Sequence, residues 1–222
     1  MEFILQIVDF IVHIDVHLAQ IIQDYNTWTY GILFAIVFAE TGFVVTPFLP
    51  GDSLIFAAAT FAAKGALNPW LIFITMTTAG IIGDGVNYSI GHYIGPRVFT
   101  EDMRFLKREY LDKAHEFFEK HGGKAVVLAR FMPIVRTFVP FVAGAGSMTY
   151  SKFVVYNVFG AVVWVGLFTV LGYFFGTIPA VEENFTFVIF AIIILSILPP
   201  IFEAVRERNK AKQLKASTPE SE

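Results

Sequence analysis

Residues 2 to 24 place Glu2, Gln6, Asp9, His13, His17, Gln20 and Asp24 at steps of three or four on a background of Ile, Val, Leu and Phe. That spacing predicts an amphipathic helix. It either lies in the membrane interface or crosses the bilayer with its stripe against protein, and the off-stripe Asp15 at mid-segment favours the interface because spanning would bury it. Residues 31–62 are apolar but hold Glu40, Pro47, Pro50, Gly51 and Asp52 near their middle. A straight helix with two prolines three apart loses backbone hydrogen bonds that lipid cannot replace, so the pattern predicts a re-entrant helical hairpin turning near Pro47 to Gly51. Residues 70–94 are long enough to span and put Asp84, Asn87, Tyr88 and His92 on one face. Residues 97–124 mix seven Lys or Arg with six acids, the signature of a soluble helical loop. A second broken apolar stretch, 125–146, carries Arg130, Pro133, Arg136 and Pro140. Residues 153–175 span, 178–184 form a short acidic loop, 185–205 span again, and the tail 206–222 is basic and then rich in Ser, Thr and Glu.

The two broken stretches look like copies. Glu40 stands ten residues before Pro50 and Arg130 ten before Pro140, and each stretch is followed by a long apolar segment closing on a glycine pair, Gly91 with Gly95 and Gly172 with Gly176. The expected organisation is an amphipathic helix over 1–29, a membrane domain over 30–205 and a disordered cytoplasmic tail over 206–222. The membrane domain divides into repeat one (30–96), a cytoplasmic loop (97–124), repeat two (125–177) and a last transmembrane helix (185–205). The fold class is all-α integral membrane protein.

Composition agrees. More than half the residues are apolar and 25 of the 222 are Phe, with a mean hydropathy of +0.62, well above that of a soluble domain. The absence of cysteine excludes disulfides, thiolate metal sites and a cysteine nucleophile. Glu2 and Asp9 replace the basic lead-in of a signal peptide, so the first helix is expected in the mature protein. Basic residues are placed unevenly: only Lys64 among the first 96 residues is Lys or Arg, whereas the 97–124 loop has seven and the tail five. The positive-inside rule puts loop and tail in the cytoplasm. If 125–146 crossed the bilayer, three crossings would separate them, so this stretch enters and returns on the cytoplasmic side. The first hairpin then dips in from outside. Two related units of opposite orientation are the inverted-repeat plan of secondary transporters, with the binding site at the broken helices.

In that plan Glu40 and Asp52 face Arg130 and Arg136. A purely structural ion-pair cluster is the plain reading, but apolar replacements of buried pairs are often neutral or stabilising, and intramembrane charge usually marks a pathway. Broken helices expose backbone amides, which with Arg forks cradle phosphate. Arg130 and Arg136 are therefore the expected phosphate-binding residues, and Glu40 and Asp52 the proton-coupling or ion-pairing ones, since burial disfavours an ionised carboxylate and a nearby Arg favours it. Asp84, Tyr88 and Ser53 are secondary candidates, Asp84 having equal claim to a structural contact with Asn87, Tyr88 or backbone. The hairpin breaks are expected at Pro47, Pro50, Gly51, Pro133 and Pro140. No metal or other cofactor is expected, because His13 and His17 have no third ligand. The glycine pairs are expected to be close-packing points.

These residues resemble the DedA family of bacterial inner-membrane proteins, which shares its VTT domain with eukaryotic SNARE-associated proteins. The matching motifs are Glu40 with Phe48-Leu49-Pro50-Gly51-Asp52-Ser53, then Gly83-Asp84 with Tyr88, Gly91 and Gly95, then Ala129-Arg130-Phe131 with Pro133, Arg136-Thr137, Pro140 and Gly144. They cover most of residues 30–176; His13 to Ala19 and Gly172 to Pro179 extend the likeness. The resemblance implies a multi-pass protein of the bacterial inner membrane with a cytoplasmic C-terminus. It implies a role in returning undecaprenyl phosphate, the lipid carrier of cell-wall synthesis, across the membrane, or in proton-motive-force and envelope homeostasis, with Glu40 and Asp52 as the essential acidic pair and Arg130 and Arg136 as the essential arginines.

The expected function is thus a lipid flippase for a polyprenyl phosphate or phospholipid, coupled to protons or another ion, with the lipid bilayer and lipid substrate as partners. The plan also admits a homo-oligomer; no nucleic-acid partner is suggested. Alternatives are a proton-coupled antiporter of small cations using Glu40, Asp52 and Asp84, a phospholipid scramblase, and a membrane-shaping scaffold. An intramembrane hydrolase is not expected, as no Gly-x-Ser-x-Gly elbow occurs and no His adjoins the hairpins to activate Ser53.

Overall fold

The computed structural model describes residues 14–43, 51–98, 115–116, 118–192 and 194. Pro47 and Pro50, His13 with the start of the first helix, most of the 97–124 loop, the end of the last predicted span and the tail lie outside the described residues. The described elements are all helical. In chain order they are α1 (Ile14–Tyr25), a 3-10 turn (Asn26–Trp28), α2 (Thr29–Gly42), α3 (Gly51–Ala63), α4 (Pro69–Val98), α5 (Lys124–Ala129), α6 (Pro133–Val142), a π turn (Ala143–Ser147), α7 (Tyr150–Phe175) and α8 (Pro179–Glu183). Residues 185–192 are helical as well.

Local chemistry sets several boundaries. Asn26 adopts a positive φ of 46°, which turns the chain from α1 into α2. Asn68 caps α4, its Oδ1 accepting the N–H groups of Trp70 at 2.9 Å and Leu71 at 3.2 Å, and Pro69 opens the helix where its missing N–H costs nothing. The Asn68 N–H donates to the Tyr30 hydroxyl at 2.7 Å, tying the start of α4 to the start of α2. Both broken stretches are interrupted: α2 ends on an extended Phe43 and α3 restarts at Gly51, while α5 ends at Ala129 and α6 restarts after an extended Met132.

One expected break is displaced. Pro140 lies inside α6, and the distortion emerges three residues later as the π turn, where Gly146 takes a φ of 130°. A proline ring inside a helix pushes against the carbonyl four residues back and removes one hydrogen bond. Here the helix widens rather than stops, because Pro140 and its neighbours are buried against α4.

Two helices, Pro69–Ile94 and Tyr150–Phe175, are long and apolar enough to cross a membrane, 26 residues each. Their outward faces remain apolar, with Ile74, Ile82, Val155, Phe159, Val163 and Leu167 exposed, as a lipid-facing surface requires. Trp70 and Tyr93 are exposed near the two ends of α4, ~34 Å apart at the helical rise, which matches amphipathic rings at two membrane interfaces.

The short helices distribute themselves crosswise over this pair. Of the first broken pair, α2 packs on α4 and α3 on α7; of the second, α5 packs on α7 and α6 with the π turn on α4. Glycine permits the closest approaches. A Cβ on Gly91 would strike the Phe141 carbonyl of α6, one on Gly172 the Phe56 carbonyl of α3, and one on Gly176 the Thr60 side chain. The glycine pairs are thus packing points where they are described. Thr60 donates to the Gly172 carbonyl at 3.2 Å across the same seam.

Two apolar cores result. One gathers Leu33, Val37, Leu54, Ile72, Trp164 and Phe168, with Ile14 and Leu18 of α1; the other gathers Tyr88, Ala125, Val139, Phe141 and Phe153. Along α4 the first ends at Ala79 and the second begins at Tyr88, leaving the stretch around Asp84 between them. Phe185 and Ile189 of the last helix join the first core.

The Gly91 contact gives a direct test. Gly91→Ala must push α6 away and is expected to lower the thermal midpoint in detergent, since overpacking costs about 1–3 kcal/mol. Gly31→Ala, whose Cβ meets only Trp28 at 3.8 Å, should leave it unchanged or raise it through helix propensity. Equal midpoints for both would contradict the packing.

Candidate functional site: a buried charge layer between the helix breaks

Among the described residues, the layer between the two cores contains five ionisable side chains. Each break contributes one at the end of its first helix and one in the first turn of its second: Glu40 and Asp52, then Arg130 and Arg136. α4 adds Asp84. Glu40, Asp84, Arg130 and Arg136 are each exposed by 5 % or less.

The helix macrodipole divides these charges. Asp52 at a helix N-terminus and Arg130 at a C-terminus are favourably placed; Glu40 at a C-terminus and Arg136 at an N-terminus are not. The two misplaced charges meet each other. Arg136 Nη1 donates to Glu40 Oε1 at 3.2 Å and to Asp52 Oδ1 at 3.4 Å. Gly51 makes room, since a Cβ there would overlap the Glu40 carboxylate.

Arg130 is held differently. Its Nη2 donates to Asp84 Oδ2 at 2.6 Å, to Asn157 Oδ1 at 2.6 Å and to the Gly80 carbonyl at 3.3 Å. Its guanidinium lies in a slot of two glycines: a Cβ on Gly80 would stand 3.2 Å from Nη1, and one on Gly160 3.2 Å from Nε. Asn157 is itself fixed, donating to the Ile81 carbonyl at 3.0 Å. The short contacts mark a strong charge-assisted anchor, whereas those of Arg136 are longer than is usual for an ionised pair.

Trp164 of α7 joins the two groups. Its indole N–H donates to Asp52 Oδ1 at 2.7 Å, and its ring lies 4.1 Å from Arg136 Cζ and 5.7 Å from Arg130 Cζ. Cation–π attraction in a desolvated site is worth about 2 kcal/mol. Asn87 ties the breaks together from α4, donating to the Thr41 carbonyl at 3.3 Å and the Thr137 carbonyl at 2.7 Å. Gly83 lets the end of α2 approach, for a Cβ there would strike Thr41.

The sequence-predicted quartet is therefore brought to one layer but sorted into two clusters: Glu40, Asp52 and Arg136 in one, and Arg130 with Asp84 in the other. Asp84 is the direct partner of Arg130 and not of Asn87 or Tyr88. Tyr88 faces away, donating to the Met148 carbonyl at 2.7 Å and stacking on Phe153 with centroids 4.5 Å apart. Ser53 is fully buried with its hydroxyl unbonded. Gly51 and Pro133 stand at helix starts, as expected of break residues.

Trp164, Asn157, Gly80 and Gly160 are site residues that sequence reasoning did not single out. Two carried a signal. Asn157 is the one amide in α7, and Trp164 lies mid-span, whereas membrane tryptophans gather at interfaces.

A model of the VTT domain family matches residues 49–174, the span from the first break to the end of α7. Protein DedA of Escherichia coli K12 is 53 % identical over 214 residues, covering 95 % of this chain and 98 % of that protein. This chain is a member of the DedA family. An uncharacterised membrane protein of Mycobacterium tuberculosis H37Rv is 40 % identical over 198 residues, 86 % of this chain and 84 % of that one. Inner membrane protein YqjA of E. coli K12 is 35 % identical over 151 residues, 68 % and 69 % of the two chains. No solved structure matches. With its apolar helices and relatives of these names, the DedA-family chain is a membrane protein.

The anchor can be tested in this DedA-family protein by a double-mutant cycle. Asp84→Leu strands Arg130 in an apolar layer, a loss of roughly 3–5 kcal/mol for one partner of a buried pair. Asp84→Leu with Arg130→Leu should regain much of the lost thermal midpoint, because no buried charge is then left alone. Additive losses would show that the two residues act independently.

Proposed function

We propose that this chain carries a phosphate-bearing lipid across the membrane, undecaprenyl phosphate or a related polyprenyl phosphate, together with a proton. One observation supports the reading above the others: two buried guanidiniums at helix breaks each use a single nitrogen for their protein partners. Arg136 Nε and Nη2 and Arg130 Nε and Nη1 are buried donors without acceptors. A buried donor left unsatisfied is costly, and a phosphate supplies several acceptors with a geometry that suits the planar fork.

Between the two, Arg136 is the exchangeable binder. Its bonds to Glu40 and Asp52 are long, so phosphate oxygens can replace them, while Arg130 is locked by Asp84 and Asn157. Charge balance supplies the coupling. With all five groups ionised, two cations face three anions and the layer is net −1; an incoming phosphate deepens that deficit. Proton uptake by Glu40 or Asp52 offsets it, so substrate and proton favour each other's binding. Cation antiport fits less well, because Glu40, Asp52 and Asp84 all lie within ion-pair distance of an arginine.

The packing supports an inverted repeat. Exchanging α2, α3 and α4 with α5, α6 and α7 leaves the crosswise contacts unchanged, and the Gly91–Phe141 contact maps onto Gly172–Phe56. In this reading the hairpins are re-entrant from opposite faces, with the charge layer near the midplane. The parity of crossings puts Lys64 and α8 outside, and their 2.7 Å ion pair, Lys64 with Glu182, is consistent with that. The Lys152 end and the C-terminus then face the cytoplasm.

Two experiments test these points. In liposomes loaded with purified protein, Arg136→Lys is expected to lose transport of undecaprenyl phosphate nearly as completely as Arg136→Ala, since a point charge cannot reproduce the fork. Glu40→Gln should fold and abolish the dependence of transport on a proton gradient. Full activity in the Lys variant, or no uptake by the unmutated protein, would reject the phosphate reading. For orientation, the chain has no native cysteine, so Lys64→Cys should label from outside intact cells and Lys152→Cys only after permeabilisation; external labelling at Lys152 would refute the inverted plan.

A further inference from the structure

Below the charge layer, at the Lys152 end, a cleft of about 1020 Å³ opens between α4, the π turn and the start of α7. His92, Tyr156 and Lys152 line it, and no carboxylate does among the described residues. His92 Nδ1 lies 3.3 Å from the Gly144 carbonyl and the ring stacks near Tyr88. Beside this cleft a second recess of about 580 Å³ runs along the outer face of α4, past Ile82, Gly85, Val86 and Ile90. The two share Ser89, Tyr93 and Tyr150 on their walls.

Their chemistry differs in the way the two ends of a lipid differ. The cleft presents a cation, an imidazole and phenol rings. The outer groove presents mostly aliphatic side chains between the two tyrosines that it shares with the cleft, and the Ser89 hydroxyl on its wall is already bonded, donating to the Gly85 carbonyl at 2.8 Å. Ile82 and Ile94 on its rim are exposed on the lipid-facing side. A Cβ on Gly85 would meet nothing within 4 Å, so the groove is left open there by the protein's own packing.

We propose that this cleft and groove form one lipid portal: an anionic head group passes between Tyr93 and Tyr150 into the Lys152 cleft while its hydrocarbon tail lies in the α4 groove at Gly85. The tail thus stays in the bilayer while the head travels. Tyr88 lines the cleft one helical turn from Asp84, its hydroxyl turned to the Met148 carbonyl. The inference rests on the lipid-phosphate reading above, and it adds a prediction that reading does not make: selectivity for tail length resides on α4, away from the arginines.

The test fills the groove without touching the protein. Gly85→Leu should keep the thermal midpoint, having open space around its Cβ, and should raise the apparent KM for undecaprenyl phosphate about tenfold. Transport of dimethylallyl phosphate, whose five-carbon tail cannot reach Gly85 from a head group at Tyr93, about 12 Å away along α4, should change less than twofold. Independently of transport, an undecaprenyl phosphate carrying a diazirine on its tail should photolabel residues 81–94 in the unmutated protein and lose that labelling in Gly85→Leu. Labelling without transport would reject flippase activity and retain the portal. Transport without labelling of α4, or equal KM changes for both lipids, would overturn the portal. If Gly85→Leu instead converts a dimer to a monomer in detergent, the groove is a seat for a second copy of the chain and the proposal fails.

Discussion

The Glu40–Arg136 contact is the interaction on which the rest depends. Each residue stands at the helix end that the macrodipole makes worst for it, Glu40 at the close of α2 and Arg136 at the opening of α6. Neither helix could end where it does, buried, with its own charge alone. Bringing the two together removes both penalties at once, and Asn87 fixes the two breaks against each other. Asp52 and Trp164 complete the arrangement, the first as a favourably placed anion and the second as a ring beneath the guanidinium. The cost of burying charge then falls on the assembled pair of breaks and not on either half.

This dependence explains why the two helix breaks carry opposite charges. A Glu at the end of α5 as well as at the end of α2 would place like charges together in the buried layer, where repulsion is screened least. Glu40 at one break and Arg130 at the other avoid that, and the crosswise packing brings each break onto both long helices. The glycines follow from the same demand. Gly91 and Gly172 let a carbonyl of the opposite half come close, and Gly80 and Gly160 leave a slot one guanidinium wide.

Much of this was legible in the chain. Charge and proline inside apolar stretches are costly enough that Glu40, Asp52, Arg130 and Arg136 identify themselves, and the length of the 70–94 and 153–175 runs predicts α4 and α7 within a few residues. Partnership was not legible. Nothing in the spacing says that Arg130 reaches Asp84 rather than Glu40, because that choice depends on which side of α4 faces α5 and α7. Asp84 looked like one member of a polar stripe with Asn87, Tyr88 and His92, yet its neighbours do three other jobs: Asn87 ties the breaks, Tyr88 braces Met148 and His92 lines a cleft. Pro140 misled for a different reason. Proline predicts a break from local chemistry alone, and here the surrounding core keeps the helix closed and moves the distortion to the glycines that follow.

The unequal grip on the two arginines is the last step from structure to mechanism. Arg130 makes two contacts at 2.6 Å inside a glycine slot, so displacing it would strand Asp84 and Asn157 together. Arg136 makes two contacts at 3.2 and 3.4 Å, and releasing it would remove the cation that Glu40 and Asp52 share. In the proposed transport, an anion that draws Arg136 away would remove that shared cation, and a proton would restore the balance. Trp164 holds the layer together while this happens, since it is bonded to Asp52 and lies beneath both guanidiniums. For the proposed lipid phosphate, a fixed arginine and an exchangeable one, separated by a single indole, would let one anion be held and handed on, where two equally tight arginines would only bind it.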